Sequence, residues 1–430
     1  MKSKKLFLKI LLIFSLVLPL FSTIVSAKSF VDNTDPLPDI PIYSKAAILV
    51  EPNTGKILYN KNGKEKKYPA STTKILTAII VIENCKLDDK VVVDYDSIIE
   101  VPSGYTIAAL QVGEELTVKQ LLQVLLIHSA NDAANVLARH VSGSIEEFAN
   151  LMNKKAEEIG CKDTHFTNPS GKHDDEHYTT AYDLALMMDY CLNNETFFEL
   201  VSSKSCIIPP TNKYTERVFT NTNELLVMDT REMEDNYYYP YAIAGKTGYT
   251  SQANNCFVAA AVKDDIKLIS VVLDGVRTDE GLSARFMDTK TLFEYGYNTY
   301  TIRKLRENGA IATQIEVKNA TGDTKDLDLL INKDINVLIK QLNINTKIDP
   351  EFILNENIEA PIQKGDVLGK IKYNIEGIDY EADLIASHDV KKNNFLFFFF
   401  ELLLIGFVIF LIFKIMNNKN PKNDSFEDYE

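Results

Sequence analysis

At 430 residues, with 45% hydrophobic and 25% charged side chains, the chain has room for two or three globular domains with large cores. Its formal charge of -14 becomes about -18 without the first 27 residues, which hold Lys2, Lys4, Lys5 and Lys9 and no acid, and that argues against a nucleic-acid partner. Five scattered cysteines and six histidines form no zinc-ligand spacing and no Cys/His constellation, so neither a metal nor an organic cofactor is called for.

Residues 1–27 read as a signal peptide: a charged start MKSKK, an apolar run, then STIVSA with Val25 and Ala27 at the small-residue positions of a cleavage site. The alternative for this segment is an uncleaved anchor. Residues 28–43, KSFVDNTDPLPDIPIY, form an arm with three prolines. AAILVEPNTGKILYNKN then predicts a β-hairpin about Asn53-Thr54-Gly55. Helical patterns run from Ser71 to about Asn194. One opens with a capping box at Thr117 and Gln120, and another opens with Ser144 and Glu147 and stops at Gly160. Strands return at YAIAGKTGYT and continue through CFVAAAVKDDIKLISVVLDG, two apolar runs about an Asp-Asp turn, and TKTLFEYGYNTY reads as a closing helix. Early and late strands around a helical middle predict an α/β layer structure with one antiparallel sheet.

Residues 301–390 contain short alternating runs (IATQIEV, INVLI, VLGKIKYNI, YEADLIA) and predict a small β-rich domain. Residues 395–416, FLFFFFELLLIGFVIFLIFKIM, make about 33 Å of helix, enough to cross a hydrocarbon core, and 417–430 is a short tail. With an export signal, everything between the two apolar segments lies outside the cytoplasm, leaving Lys414, Lys419 and Lys422 inside. Lys391 and Lys392 on the outer flank weaken the charge argument, and Glu401 near the outer end keeps a shallow surface helix as the alternative. The odd cysteine count leaves at least one thiol free or paired between chains. His173 and His177 lie in GKHDDEHY, a polar stretch that predicts surface histidines.

YPASTTKILTAII sets a serine and a lysine three residues apart at the start of an apolar helix. Ser71 and Lys74 then share a face, with the amine in reach of the hydroxyl. Burial and a second cation nearby would push the lysine toward its neutral form, and a neutral amine takes a hydroxyl proton. On its own the pair also reads as a helix cap followed by an exposed lysine. IHSANDAANVL places Ser129 and Asn131 in a break between helices, where the plain alternative is an N-cap. AGKTGYT puts Lys246, Thr247 and Gly248 on a strand; if that strand is an edge, they offer a cation, a hydroxyl and open backbone to an extended peptide ending in a carboxylate. A solvated edge lysine is the plain alternative there.

Ser-x-x-Lys, Ser-x-Asn and Lys-Thr-Gly in this order is the triple of penicillin-binding proteins and class A β-lactamases. Together with GCKDTHFTNPSG, YTTAYDLALM and ARFMDTKTLFEYGY, the chain resembles the low-molecular-weight penicillin-binding proteins of the D-alanyl-D-alanine carboxypeptidase type. The resemblance implies a β-lactamase/transpeptidase-like catalytic domain over 44–300, an antiparallel sheet with helices on both faces plus a helical subdomain, followed by the β-rich domain and a membrane anchor. It implies Ser71 as the acylated nucleophile, Lys74 as its base and Ser129 as proton relay. Asn131 would hold the substrate backbone, Lys246 and Thr247 would face its terminal carboxylate with Gly248 beside them in the substrate-binding strand, and Arg285 would match the family's carboxylate-binding arginine. Asp183 reads as structural. The substrate implied is a peptidoglycan stem peptide ending in D-Ala-D-Ala, with β-lactams as inhibitors, and the C-terminal helix would meet membrane lipid. Two departures stand out: 275–285 is longer than the usual connection before the arginine, and the C-terminal span is more apolar than an amphipathic anchor. The rivals are a class A β-lactamase, for which THFTNPSG stands where a deacylating glutamate loop belongs, and a non-catalytic penicillin-sensing or wall-binding protein.

Overall fold

The computed structural model describes residues 28–32, 36–227, 237–276 and 282–417. The expected signal peptide and nearly all of the expected tail lie outside the described residues, as does part of the connection before Arg285. The chain divides into two compact units between Tyr297 and Asn298.

In the first unit a hairpin, β1 (Ala46–Glu51) and β2 (Lys56–Lys61), forms as its alternation predicts. The Glu51 carboxylate accepts from the amides of Asn53 and Thr54 and holds the turn. The helical middle carries two small ribbons, β3 (Lys90–Val92) with β4 (Glu115–Thr117), and β5 (Ser205–Ile208) with β6 (Arg217–Thr220). β7 (Ala242–Thr250), β8 (Asn254–Lys263) and β9 (Ile266–Gly275) complete an antiparallel sheet in the order β2-β1-β9-β8-β7. The Asp264-Asp265 turn between β8 and β9 has both residues at positive φ, the conformation of a tight hairpin turn that short polar side chains tolerate. β7 is an edge, as the open-backbone expectation requires.

The helices are α1 (Lys74–Asn84), α2 (Tyr95–Ile99), α3 (Val118–Gln123), α4 (Asn131–Ser142), α5 (Ile145–Ile159), α6 (Ala181–Leu192), α7 (Glu195–Val201) and α8 (Ala284–Thr299). Both caps read from the sequence form: Thr117 and Gln120 make a reciprocal capping box on α3, and Ser144 caps α5, which ends at Gly160 in the left-handed region. Asp183 sits in the first turn of α6 and accepts from the Asp163 amide and the Thr164 hydroxyl, a structural role. Ile48, Val50, Ile269 and Val271 pack into the core with α1 and α6, whereas Leu49 and Leu268 lie against Gly296 of α8. Alternate strand positions thus point to opposite faces, and helices cover both. All five cysteines are free thiols.

The second unit is β-rich: β10 (Tyr300–Arg306) pairs with β13 (Ile335–Lys340). A five-stranded antiparallel sheet joins β11 (Ile311–Glu316), β12 (Asp326–Ile331), β16 (Ile378–Ala386), β15 (Val367–Ile375) and β14 (Glu351–Leu354) in that order. α9 (Phe395–Asn417) follows, and its stretch Phe398–Met416 is long and apolar enough to cross a membrane.

Candidate active site

Ser71 lies in a 3-10 turn, Ala70–Thr73, that leads directly into α1. The turn is held from within, since the hydroxyls of Thr72 and Thr73 donate to the carbonyls of Pro69 and Ala70 at 2.8 Å each. Two glycines let other backbone approach it. A Cβ on Gly248 of β7 would stand 2.9 Å from both the Pro69 carbonyl oxygen and the Ser71 amide nitrogen, so only glycine lets the edge strand lie against the turn. Gly171 has φ +81°, and a Cβ there would fall 1.9 Å from the Ala70 carbonyl oxygen.

Lys74 is fully buried, which excludes the exposed-lysine alternative. Its Nζ lies 2.8 Å from Ser71 Oγ, 2.9 Å from Asn131 Oδ1 and 2.6 Å from the Ser170 carbonyl oxygen. Asn131 has no freedom to turn its amide around, because Nδ2 donates to the Thr106 carbonyl at 2.8 Å. Burial pushes the Lys74 amine well below its ordinary range, and the Lys246 cation pushes the same way, against the weaker pull of Asp132. A neutral amine has two N–H bonds and one lone pair. Asn131 Oδ1 and the Ser170 carbonyl accept only, so they take both N–H bonds and leave the lone pair for the Ser71 hydroxyl. This geometry suits proton abstraction.

Ser129 follows a π-helical turn, Val124–His128, and has φ +68°, a strained conformation for serine. The next residue, Ala130, is the N-cap of α4 and makes no side-chain cap, so neither Ser129 nor Asn131 serves as one. Ser129 Oγ instead accepts from Lys246 Nζ at 2.9 Å. Lys246 is also fully buried, not a solvated edge residue; burial and then the Arg285 guanidinium push its amine down to about 7. Thr247 Oγ1 lies 2.7 Å from Thr222 Oγ1. Ser71, Ser129, Asn131, Thr247, Gly248 and Arg285 all line one cleft of about 520 Å³. Lys74 and Lys246 lie behind its wall. The structure therefore brings together every site residue expected from the sequence.

Several contributors carry no motif. Asp132 is buried, and its two oxygens accept from the amides of Ala108, Leu110 and Ala133. It thereby pins the segment whose Ser103–Thr106 part forms a cleft wall. Asn168 Oδ1 accepts from the amides of Ser170, Gly171 and Lys172 at 3.2, 2.9 and 3.0 Å, which shapes the loop that turns the Ser170 carbonyl onto Lys74. The surface reading of His177 is wrong: it is 2% exposed, with Nε2 2.9 Å from Thr73 Oγ1 and Nδ1 accepting from the Thr167 amide at 3.1 Å. Because the Thr73 hydroxyl is spent on Ala70, His177 donates through Nε2 and is neutral; burial pushes its pKa down to about 3. The same loop folds back beneath the Ser71 turn, which hides this one histidine of a polar run. His173 stays partly exposed near Asp175.

Residues 32–277 match the D-alanyl-D-alanine carboxypeptidase family, and residues 300–392 match the C-terminal domain of penicillin-binding protein 5. The chain is 34% identical over 363 residues to the D-alanyl-D-alanine carboxypeptidase DacF of Bacillus subtilis, covering 83% of this chain and 88% of that protein. Among solved structures it is similar to penicillin-binding protein 5 of Haemophilus influenzae, with TM-score 0.64 at 27% identity, over 83% of this chain and all (100%) of that one. It is also similar to the peptidoglycan synthesis regulatory factor PBP3 of Streptococcus pneumoniae, with TM-score 0.66 at 25% identity, over 82% and 100% of the two chains.

Proposed function

The chain belongs to the D-alanyl-D-alanine carboxypeptidase family, serine-type hydrolases and penicillin-binding proteins of cell-wall peptidoglycan metabolism, and on that premise we propose that Ser71 is its acylated nucleophile. Ser71 Oγ attacks the carbonyl of the penultimate D-alanine of a stem peptide while Lys74 takes its proton. The Ser71 amide and an amide of β7 face the developing oxyanion. The peptide C–N bond breaks, the departing D-alanine amine receives a proton relayed through Ser129, and an ester to Ser71 remains. Water then attacks the ester and regenerates the serine. Asn131, Lys246, Thr247, Gly248 and Arg285 hold the peptide, the last toward its terminal carboxylate. A β-lactam acylates the same oxygen, but its leaving amine stays tethered.

The observation that carries this assignment is the buried Lys74 amine with both N–H bonds committed and its remaining direction aimed at Ser71 Oγ, 2.8 Å away. Against a β-lactamase stands the loop at 165–171, which offers Lys74 the main-chain carbonyl of Ser170 where that reaction needs a glutamate. The length and apolar composition of α9 support membrane association, and we place the helix across the bilayer with the catalytic unit on the extracytoplasmic face. Intact mass spectrometry after exposure to a penicillin tests the nucleophile: a drug-sized gain on the wild type, and none on Ser71→Ala, is expected. An adduct on Ser71→Ala, or fast penicillin turnover without D-alanine release from a diacyl-D-Ala-D-Ala peptide, would overturn it.

A further inference from the structure

The β-rich unit is stitched to the start of α9 by backbone hydrogen bonds. Val390 is 1% exposed and closes the core of the unit, its amide and carbonyl bonded to those of Ile362 at 2.9 and 3.0 Å. Directly after it the chain pairs with the turn between β11 and β12. The Thr321 amide donates to the Lys391 carbonyl at 3.0 Å, the Asn393 amide to the Asn319 carbonyl at 2.7 Å, and Ala320 stands opposite Lys392 in antiparallel register. Lys318 is tied in turn to the next segment, its carbonyl accepting from the Ala360 amide at 2.9 Å. α9 begins at Phe395, two residues after the last of these bonds, so at about 3.4 Å per residue it starts within about 7 Å of this end of the unit. The polar headgroup layer of a leaflet is about 5 to 8 Å deep. With α9 across the bilayer, residues 318–321 and 391–394 therefore stand in that layer.

This end carries unmatched positive charge. Lys318, Lys391 and Lys392 are exposed and make no ion pair among the described residues. Of the acids beside them, Glu359 accepts from Asn319 Nδ2 at 3.1 Å, Asp389 accepts from the Lys364 amide at 2.7 Å, and Glu316 is paired with Lys325. Asp323 is left against three lysines. The antiparallel register puts Lys318 and Lys392 on one side of the short ribbon and Lys391 on the other, so both sides present a cation. The chain as a whole carries a charge of -14, which an anionic leaflet repels. Three cations gathered where such a chain enters the bilayer offset that repulsion at the point of contact, and they account for a basic outer flank that runs against the positive-inside tendency.

We propose that this end of the β-rich unit is a docking platform for anionic phospholipid headgroups, with Lys318, Lys391 and Lys392 on their phosphates, and that it seats the unit on the outer leaflet. The proposal rests on the placement of α9 across the bilayer given above. The full chain, incorporated into vesicles of phosphatidylcholine alone or of equal parts phosphatidylcholine and phosphatidylglycerol, tests it. Its lysines are acylated with an uncharged amine-reactive ester and read by peptide mass spectrometry. Only a neutral amine reacts, and an anionic surface favours the charged form of each lysine about fivefold. Lys333 is the internal reference, since it follows β12 at the end away from the platform, about 20 Å along the strand and beyond a Debye length. Labelling of Lys318, Lys391 and Lys392 relative to Lys333 should be about fivefold slower in the mixed vesicles, and high salt should remove the difference. Equal relative labelling in the two lipids, or a slowing that salt does not reverse, overturns the platform while leaving the spanning helix intact. A chain that alkaline carbonate strips from both kinds of vesicle has no spanning helix, and the placement of α9 falls together with the platform.

Discussion

Replacing Lys74 by arginine keeps a cation of similar reach but removes the lone pair, since a guanidinium does not deprotonate in a protein. In the structure the lysine amine serves three oxygens: Asn131 Oδ1 and the Ser170 carbonyl accept its N–H bonds, and Ser71 Oγ at 2.8 Å needs an acceptor for its own proton. Lys74→Arg preserves donors for the first two and offers Ser71 only a further donor. The loss is that of a general base, about 10²- to 10⁴-fold in acylation, or roughly 3 to 5 kcal/mol at about 1.4 kcal/mol per decade. Second-order acylation by a fluorescent penicillin measures it, with thermal unfolding of the same samples showing that the variant is folded. The wild-type profile supplies the sign. Because burial and Lys246 hold the Lys74 amine well below its ordinary range, acylation rises with pH through that lowered value and then levels, all below the range of a free lysine. Acylation of Lys74→Arg within tenfold of wild type, or a wild-type rate that climbs only near the pKa of a solvated lysine, would refute the base assignment.

His177, held neutral with its pKa pushed down to about 3, stays unprotonated in the fold while the unfolded chain gains a proton below about 6.5; stability therefore falls as pH drops from about 6.5 toward 3, by about 5 kcal/mol in all. His177→Gln removes that dependence, so its Tm deficit at pH 7 should shrink steadily toward pH 4, and a deficit that stays constant contradicts the assignment. Gly248→Ala sets a methyl 2.9 Å from two backbone atoms of the nucleophile turn, and a displacement of that turn should cut penicillin acylation about 100-fold with the chain still folded; an unchanged rate would mean the strand and the turn do not meet as described.

What was legible in the sequence was local. The Asn53-Thr54-Gly55 hairpin, the Thr117 and Ser144 caps and the Asp264-Asp265 turn each depend on residues within a few positions, and each forms. Ser71, Lys74, Ser129, Asn131 and Lys246 were legible because the chemistry needs side chains, and side chains leave letters. The Ser170 carbonyl leaves none: any residue has a carbonyl, and what aims this one is Asn168 gathering three amides. His177 was misread for the converse reason, as its neighbours Asp174, Asp175 and Glu176 are exposed while it alone turns inward to Thr73. Asp132 had a weak signal, a carboxylate beside Asn131 in an otherwise small, apolar helix start, but two of its three amide partners lie more than twenty residues earlier.

The two buried lysines are coupled along the cleft. Arg285 helps lower Lys246, and Lys246 helps lower Lys74, each by the repulsion of like charge added to burial. With Lys246 near 7, its cation is only partly populated at neutral pH. A substrate carboxylate seated between Arg285 and Thr247 would offset the repulsion from Arg285 and favour the charged form of Lys246. That added charge acts on Lys74, whose neutral form is the one able to take the Ser71 proton. The terminal carboxylate would then do more than anchor the peptide: its arrival stabilises the state of the site in which the base is ready. Lys246 is for this reason not interchangeable with a neutral hydrogen-bond donor, even though its visible contacts, Ser129 Oγ at 2.9 Å and the Thr247 carbonyl at 3.0 Å, are ones an amide could make.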